Sequence, residues 1–195
     1  MTLEKFTTRD LILLGVFNAT VLLFYYGALL VLHLLPVFWG AMDPIVNFFL
    51  TPIFFLMLVQ VPKAGAMTVH GLIMGLVHAA TGWWPGFFAA LAAGLLADGL
   101  SLCMGGYTRR PAICLAVLLY TTLKAVLFYA PLYLLTYIPW FNKVVSIWPQ
   151  ELLGRYTTLY ALAFLIANAV TCSLGLLAGN RLLGKHFKNA RVCRP

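Results

Sequence analysis

Two charged side chains lie inside long apolar runs, Asp98 in Leu95-Leu-Ala-Asp-Gly-Leu100 and Lys124 in Thr121-Thr-Leu-Lys-Ala125. An ionisable group at membrane depth costs about 2.5–3.5 kcal/mol on insertion scales, so each needs a partner or a polar cavity. Three chemistries are open to the pair. They can form an ion pair across neighbouring helices and fix the register, Lys124 can serve as counter-charge to an anionic ligand, or both can belong to a proton relay. Of the four histidines, His33 and His78 fall near the same end of the apolar segments and can meet there to ligate a metal or a haem-like ring. His70 lies within a span and His186 in a basic tail, and no HxxxH or HExxH spacing links any two. The four cysteines (Cys103, Cys114, Cys172, Cys193) have no paired spacing, so neither a disulfide framework nor a zinc site is expected. Only five acids occur, Glu4, Asp10, Asp43, Asp98 and Glu151, and no two form the carboxylate cluster that a small membrane enzyme would need. A P-loop is also missing, so ATP is not bound by that device. The expected chemistry is binding rather than bond-making, with no cofactor and no metal.

The elements that position these groups follow from composition. Of 195 residues, 63% are hydrophobic and only 9% charged, whereas a soluble domain carries about a quarter charged residues. Most of the chain must therefore be solvated by lipid. At roughly 20 apolar residues per crossing, the sequence divides into six spans, about 10–35, 43–61, 64–81, 85–104, 111–138 and 156–182. Val61-Pro-Lys63 nearly joins the second to the third, which leaves five or seven crossings as alternatives. The fold class is all-α: a polytopic membrane protein, residues 1–195 as one integral domain, ending in a basic tail over 183–195. Nothing at the start has the small-residue cleavage site of a secretory signal.

Lysine and arginine set the orientation. Lys5, Arg9, Lys63, Arg109, Arg110, Arg181, Lys185, Lys188, Arg191 and Arg194 fall on one side, against Lys143 and Arg155 on the other. By the positive-inside rule both termini are cytoplasmic. This asymmetry also accounts for the net charge of +8 without a nucleic-acid partner. All five tryptophans (Trp39, Trp83, Trp84, Trp140, Trp148) lie in the outward connections. Either they form an interfacial belt, or they line an outward pocket. On the fifth span Tyr120, Thr121 and Lys124 share one face, and Tyr129, Tyr133 and Tyr137 the nearly opposite one. Stripes of small residues, Gly71/Gly75 and the one from Asn168 to Gly179, read as helix–helix seams. Gly15 and Ala19 make a similar i, i+4 pair on the first span, to pack either on the bundle itself or on a partner.

Taken together, the basic start, the Gly15-Val-Phe-Asn-Ala19 pair, the Gly94-Leu-Leu-Ala-Asp-Gly99 stretch and six spans resemble the substrate-binding S component of an energy-coupling factor (ECF) transporter. The resemblance covers almost the whole chain and is nearest in flavour to the Trep_Strep-type branch. The glycine pair is similar to the AxxxA face by which S components dock, with Gly15 in place of the first alanine. The resemblance implies a binding subunit, not an enzyme, in the bacterial plasma membrane. Its partners would be a transmembrane coupling subunit and two ATPases, with Gly15 and Ala19 as the docking pair. A small planar micronutrient, vitamin- or pterin-like, would be captured beneath the outward loops, and a tetrapyrrole such as haem is the second ligand class. No family motif maps onto the ligand contacts. Topology and chemistry nominate Trp83, Trp84, Lys124, Tyr133, Trp140, Asn142 and Trp148, with aromatic faces on a ring and Lys124 or Lys143 on an acidic group. His33 and His78 join them for a tetrapyrrole. A self-sufficient secondary carrier and a small membrane enzyme are the alternatives of another class, although no inverted repeat marks a carrier.

Overall fold

Thr7 and Asp10 close a capping box: the Thr7 side chain accepts from the Asp10 amide at 3.3 Å, and the Asp10 carboxylate accepts from the Thr7 amide at 2.8 Å. This starts α1, Thr8–His33. The computed structural model describes residues 5–34, 42–135 and 158–186. Within them the chain continues through α2 (Met42–Gln60), α3 (Ala66–Ala80), α4 (Trp84–Cys103), α5 (Arg110–Leu135) and α6 (Thr158–His186). Five of the six are long and apolar enough to cross a membrane. Helix α3, with 15 residues, is about 22 Å long at 1.5 Å per residue and falls short of the roughly 30 Å hydrocarbon layer. Where they are described, the helices lie within two residues of the expected segments, except that α6 runs four residues past 182; α3 is shorter than the third expected span, and residues 35, 136–138 and 156–157 of the expected spans lie outside the described residues.

Glycines decide which helices pack tightly. In the antiparallel pair α3/α4, a Cβ built at Gly71 would stand 2.4 Å from the Ala90 carbonyl oxygen, and one at Gly94 would stand 2.5 Å from that of Met67. In the parallel pair α2/α6, a Cβ at Gly175 would come within 2.6 Å of the Phe48 carbonyl oxygen, and one at Gly179 within 3.1 Å of Pro52. The stripes expected to be seams are seams. Backbone cannot yield as a flexible side chain does, so Gly94→Ala must part α3 from α4. We expect a loss of about 1–3 kcal/mol, in the range of overpacking substitutions, measured as a lowered unfolding temperature in detergent.

Helix α1 is different. It buries Leu14, Asn18, Val21 and Tyr25, and leaves Leu11, Ile12, Val16 and Leu23 exposed. Gly15 and Ala19 are exposed with them, and a Cβ at Gly15 would meet nothing within 4 Å. Among the described residues, therefore, nothing of the protein's own bundle packs on the pair.

The two charges within spans have separate partners rather than each other. The Asp98 carboxylate on α4 accepts from the Thr68 amide at 2.7 Å, the Thr68 hydroxyl at 2.6 Å, the Met67 amide at 3.4 Å and the Tyr107 hydroxyl at 2.6 Å. It supplies the N-terminal cap that Gly65, with no side chain, cannot give to α3. Tyr107 lies in the turn between α4 and α5. Burial first, and then the adjacent Asp98 carboxylate, hold its phenol above the ordinary range, so it stays the donor. Asp98→Ala strands these buried donors at once and should cost roughly 2–4 kcal/mol, while Tyr107→Phe removes one hydrogen bond, about 1 kcal/mol. Thermal unfolding in detergent checks the ranking.

Candidate ligand site

Polar groups gather in the core toward the end where α2, α4 and α6 begin. Helices α2 and α6 run in parallel register, so Asn47 faces Asn168, with the Asn47 amide donating to the Asn168 oxygen at 2.8 Å. One turn along, the Cys172 thiol lies in hydrogen-bonding reach of the Thr51 and Thr121 hydroxyls. Lys124 follows Thr121 by three residues on α5, which runs the opposite way. It therefore rises level with the Asn47–Asn168 pair.

Lys124 is only 6% exposed, and its Nζ stands 4.6 Å from the centroid of the Tyr25 ring, within cation–π range. Asp43, buried in the first turn of α2, is its acidic electrostatic neighbour. The Tyr25 ring also meets His78 edge-on at 6.3 Å. A second polar layer lies deeper. His70 Nδ1 approaches Asn18 Oδ1 at 2.6 Å, and Asn18 Nδ2 donates to the Leu14 carbonyl at 2.7 Å. Because Asn18 thus presents its oxygen, His70 carries its proton on Nδ1 and offers Nε2 as an acceptor. The His70 ring is boxed by Phe54 at 4.7 Å and Tyr120 at 5.1 Å. His70 Nε2, the Tyr120 hydroxyl and Asn168 Nδ2 are buried without hydrogen-bond partners among the described residues. Fully buried polar atoms are normally paired, so each of these three is open to a further polar partner.

The nominated residues are dispersed. Lys124 and His78 belong to the cluster. Trp83 is half-buried beside His78, since both would meet a Cβ built at Gly86. Trp84 is 61% exposed, its ring against Phe87 on the outer surface of α4. Trp140, Asn142 and Trp148 lie outside the described residues, as do the side chains of His33 and Tyr133. No group of three or more His, Cys, Asp or Glu side chains able to hold a metal occurs among the described residues. Sequence reasoning missed Tyr25, Asp43 and Asn47, although an acid in the first turn of an apolar helix with an asparagine four residues on is a readable signal.

On the opposite, lipid-facing side of α1, the exposed strip from Gly15 and Ala19 continues through Leu23. There it meets an apolar groove between α1 and α2 of about 480 Å³, lined among others by Phe24, Gly27, Val46 and Phe49. Comparison with known proteins gives one result: a family model described as "Hypothetical bacterial integral membrane protein (Trep_Strep)" matches residues 8–189. Neither the curated proteins nor the solved structures include a match.

Proposed function

The chain belongs to the Trep_Strep family of bacterial integral membrane proteins, and from that premise we propose that it is the substrate-binding subunit of an ECF-type importer, with the Lys124 cluster as its ligand site. The observation that carries this reading is the convergence of buried polar groups from separate helices: Tyr25 of α1, Asp43 and Asn47 of α2, His78 of α3, Lys124 of α5 and Asn168 of α6. Each is costly in lipid, and polar groups at that depth mark ligand or ion sites. Tight seams between α3 and α4 and between α2 and α6 supply the rigid walls that hold such a site. Tyr25, Tyr120 and the half-buried Trp83 supply faces for a planar ring, and Lys124 and Asn168 supply donors. A small vitamin- or pterin-like micronutrient has that combination of ring and acceptors.

The chain performs no bond chemistry in this account. Energy comes from separate ATPases through a membrane coupling subunit. The exposed Gly15–Ala19 face supports that arrangement, because small residues admit a second helix at close range. The test is affinity purification of the tagged chain from its own membrane in a mild detergent. Recovery of a second membrane protein together with two ATPase chains is the expected result. Recovery of the chain alone, still loaded with ligand and competent for uptake, would establish a self-sufficient carrier instead.

A further inference from the structure

We propose that the end of the bundle where α5 begins and α6 finishes is a binding site for an anionic phospholipid. Its phosphate would lie among Arg109, Arg110, Arg181 and Lys185, and its chains along the lipid-facing stripe of α6. Two basic clusters occur at this end of the molecule, and they differ in one respect. The first, Lys5, Arg9 and Lys63, is answered by a carboxylate: Lys63 Nζ lies 2.8 Å from Asp10 Oδ2 and also donates to the Lys5 carbonyl at 2.9 Å. Among the described residues the second has no such answer. Asp98, the carboxylate nearest in the chain, is buried and occupied by Thr68 and Tyr107. Asp43 lies at the other end of α2, and Glu4 and Glu151 are outside the described residues.

The four cations are exposed and are brought together by packing. Arg110 reaches from α5 to Asn180 on α6, Nη1 to Oδ1 at 3.4 Å. Asn180 is followed by Arg181, and Lys185 stands one turn further on the same face. Arg109 stays at this end because its guanidinium folds over the Gly105 turn. What separates this cluster from an ordinary charged rim is the surface leading to it. Val170, Leu174 and Leu177 of α6 are each at least half exposed and run at three- and four-residue spacing straight down to Arg181 and Lys185. Leu115 on α5 is exposed above Arg110. An apolar stripe ending in an uncompensated group of arginines has the layout of a phospholipid, hydrocarbon above and phosphate below. Guanidinium suits phosphate oxygens because its fork donates two parallel hydrogen bonds.

The test is native mass spectrometry of the purified full-length protein in a neutral detergent, titrated with phosphatidylglycerol or phosphatidylcholine of the same chains. Phosphatidylglycerol should bind preferentially. Arg110→Gln/Arg181→Gln should weaken it about thirtyfold and Lys185→Gln alone about fivefold, the worth of one juxtamembrane cation per step. Lys5→Gln/Arg9→Gln, at the compensated cluster, should change it by less than about twofold. Arg110→Lys/Arg181→Lys keeps the charge but loses the fork, so it should weaken binding by less than the glutamine pair does, and together with Lys185→Gln it decides the matter if the double glutamine variant fails to fold. Millimolar inorganic phosphate should not displace the lipid. Equal binding of the two lipids, unchanged binding in the glutamine variants, or displacement by free phosphate would each overturn the site.

Discussion

Gly15→Leu is expected to abolish ligand uptake by cells while leaving ligand binding to the isolated chain, and its unfolding temperature, unchanged. A Cβ at this position would meet nothing within 4 Å, so the substitution has nothing to disturb inside the bundle. Its side chain projects instead into the space that a docking helix must occupy. Close helix approach in lipid relies on small residues, because hydrophobic burial no longer discriminates between lipid and protein. A branched side chain there holds the partner's backbone away, and interactions that need direct contact are lost as a set. Transport assays in cells, paired with binding measurements on purified protein, separate the two effects. Gly94→Ala, by contrast, acts through folding, and uptake and binding should fall together. Should Gly15→Leu transport normally, the face does not dock a coupling subunit.

The second large effect belongs to Lys124. Lys124→Met is expected to weaken ligand binding by about tenfold to a hundredfold, the range of a hydrogen bond to a charged group. The loss should be greater for an acidic ligand than for its neutral analogue. The substitution also leaves Asp43 without its basic neighbour, and the variant should be less stable for that reason. Adding Asp43→Asn removes the buried negative charge that Lys124 faced and should recover the unfolding temperature without recovering binding. A double variant that regains both would make Lys124 and Asp43 a structural pair with no part in recognition. Asp98→Ala should be additive with Lys124→Met in stability, since the two residues share no partner.

Much of the fold was legible because a membrane leaves few choices. Runs of about 20 apolar residues bounded by Pro36, Pro62, Pro85 and the Arg109-Arg110 pair can only be helices in lipid. Glycine stripes announced the seams, since helices in lipid approach through small residues. The partners of the intramembrane charges were not legible in the same way. Asp98 and Lys124 sit on consecutive helices, and pairing them was a reasonable expectation. Packing Gly94 against Met67 carries Asp98, one turn beyond, to the bare start of α3, and no pattern local to α4 encodes that depth. Asp43 stands at the first residue of the second expected span, where nothing local shows that it turns into the bundle, so its approach to Lys124 was missed. Trp84 illustrates the limit of composition: an aromatic residue beside a site and one facing lipid have the same signature until helix rotation is fixed, and Trp84 faces outward. Gly15 was the converse case. Its spacing alone left self-packing and a docking face open, the family resemblance favoured docking, and the structure leaves the pair exposed.

The central claim, a ligand held at the Lys124 cluster, is tested most directly by native mass spectrometry of the full-length chain purified gently from its source membrane, beside the Lys124→Met/Asp43→Asn variant. The expected result is a retained small molecule in the parent, one per chain and planar by its absorption spectrum, and a folded but empty variant. A molecule retained equally by both proteins would place the site elsewhere, and a Soret band in that molecule would identify it as a tetrapyrrole bound independently of Lys124.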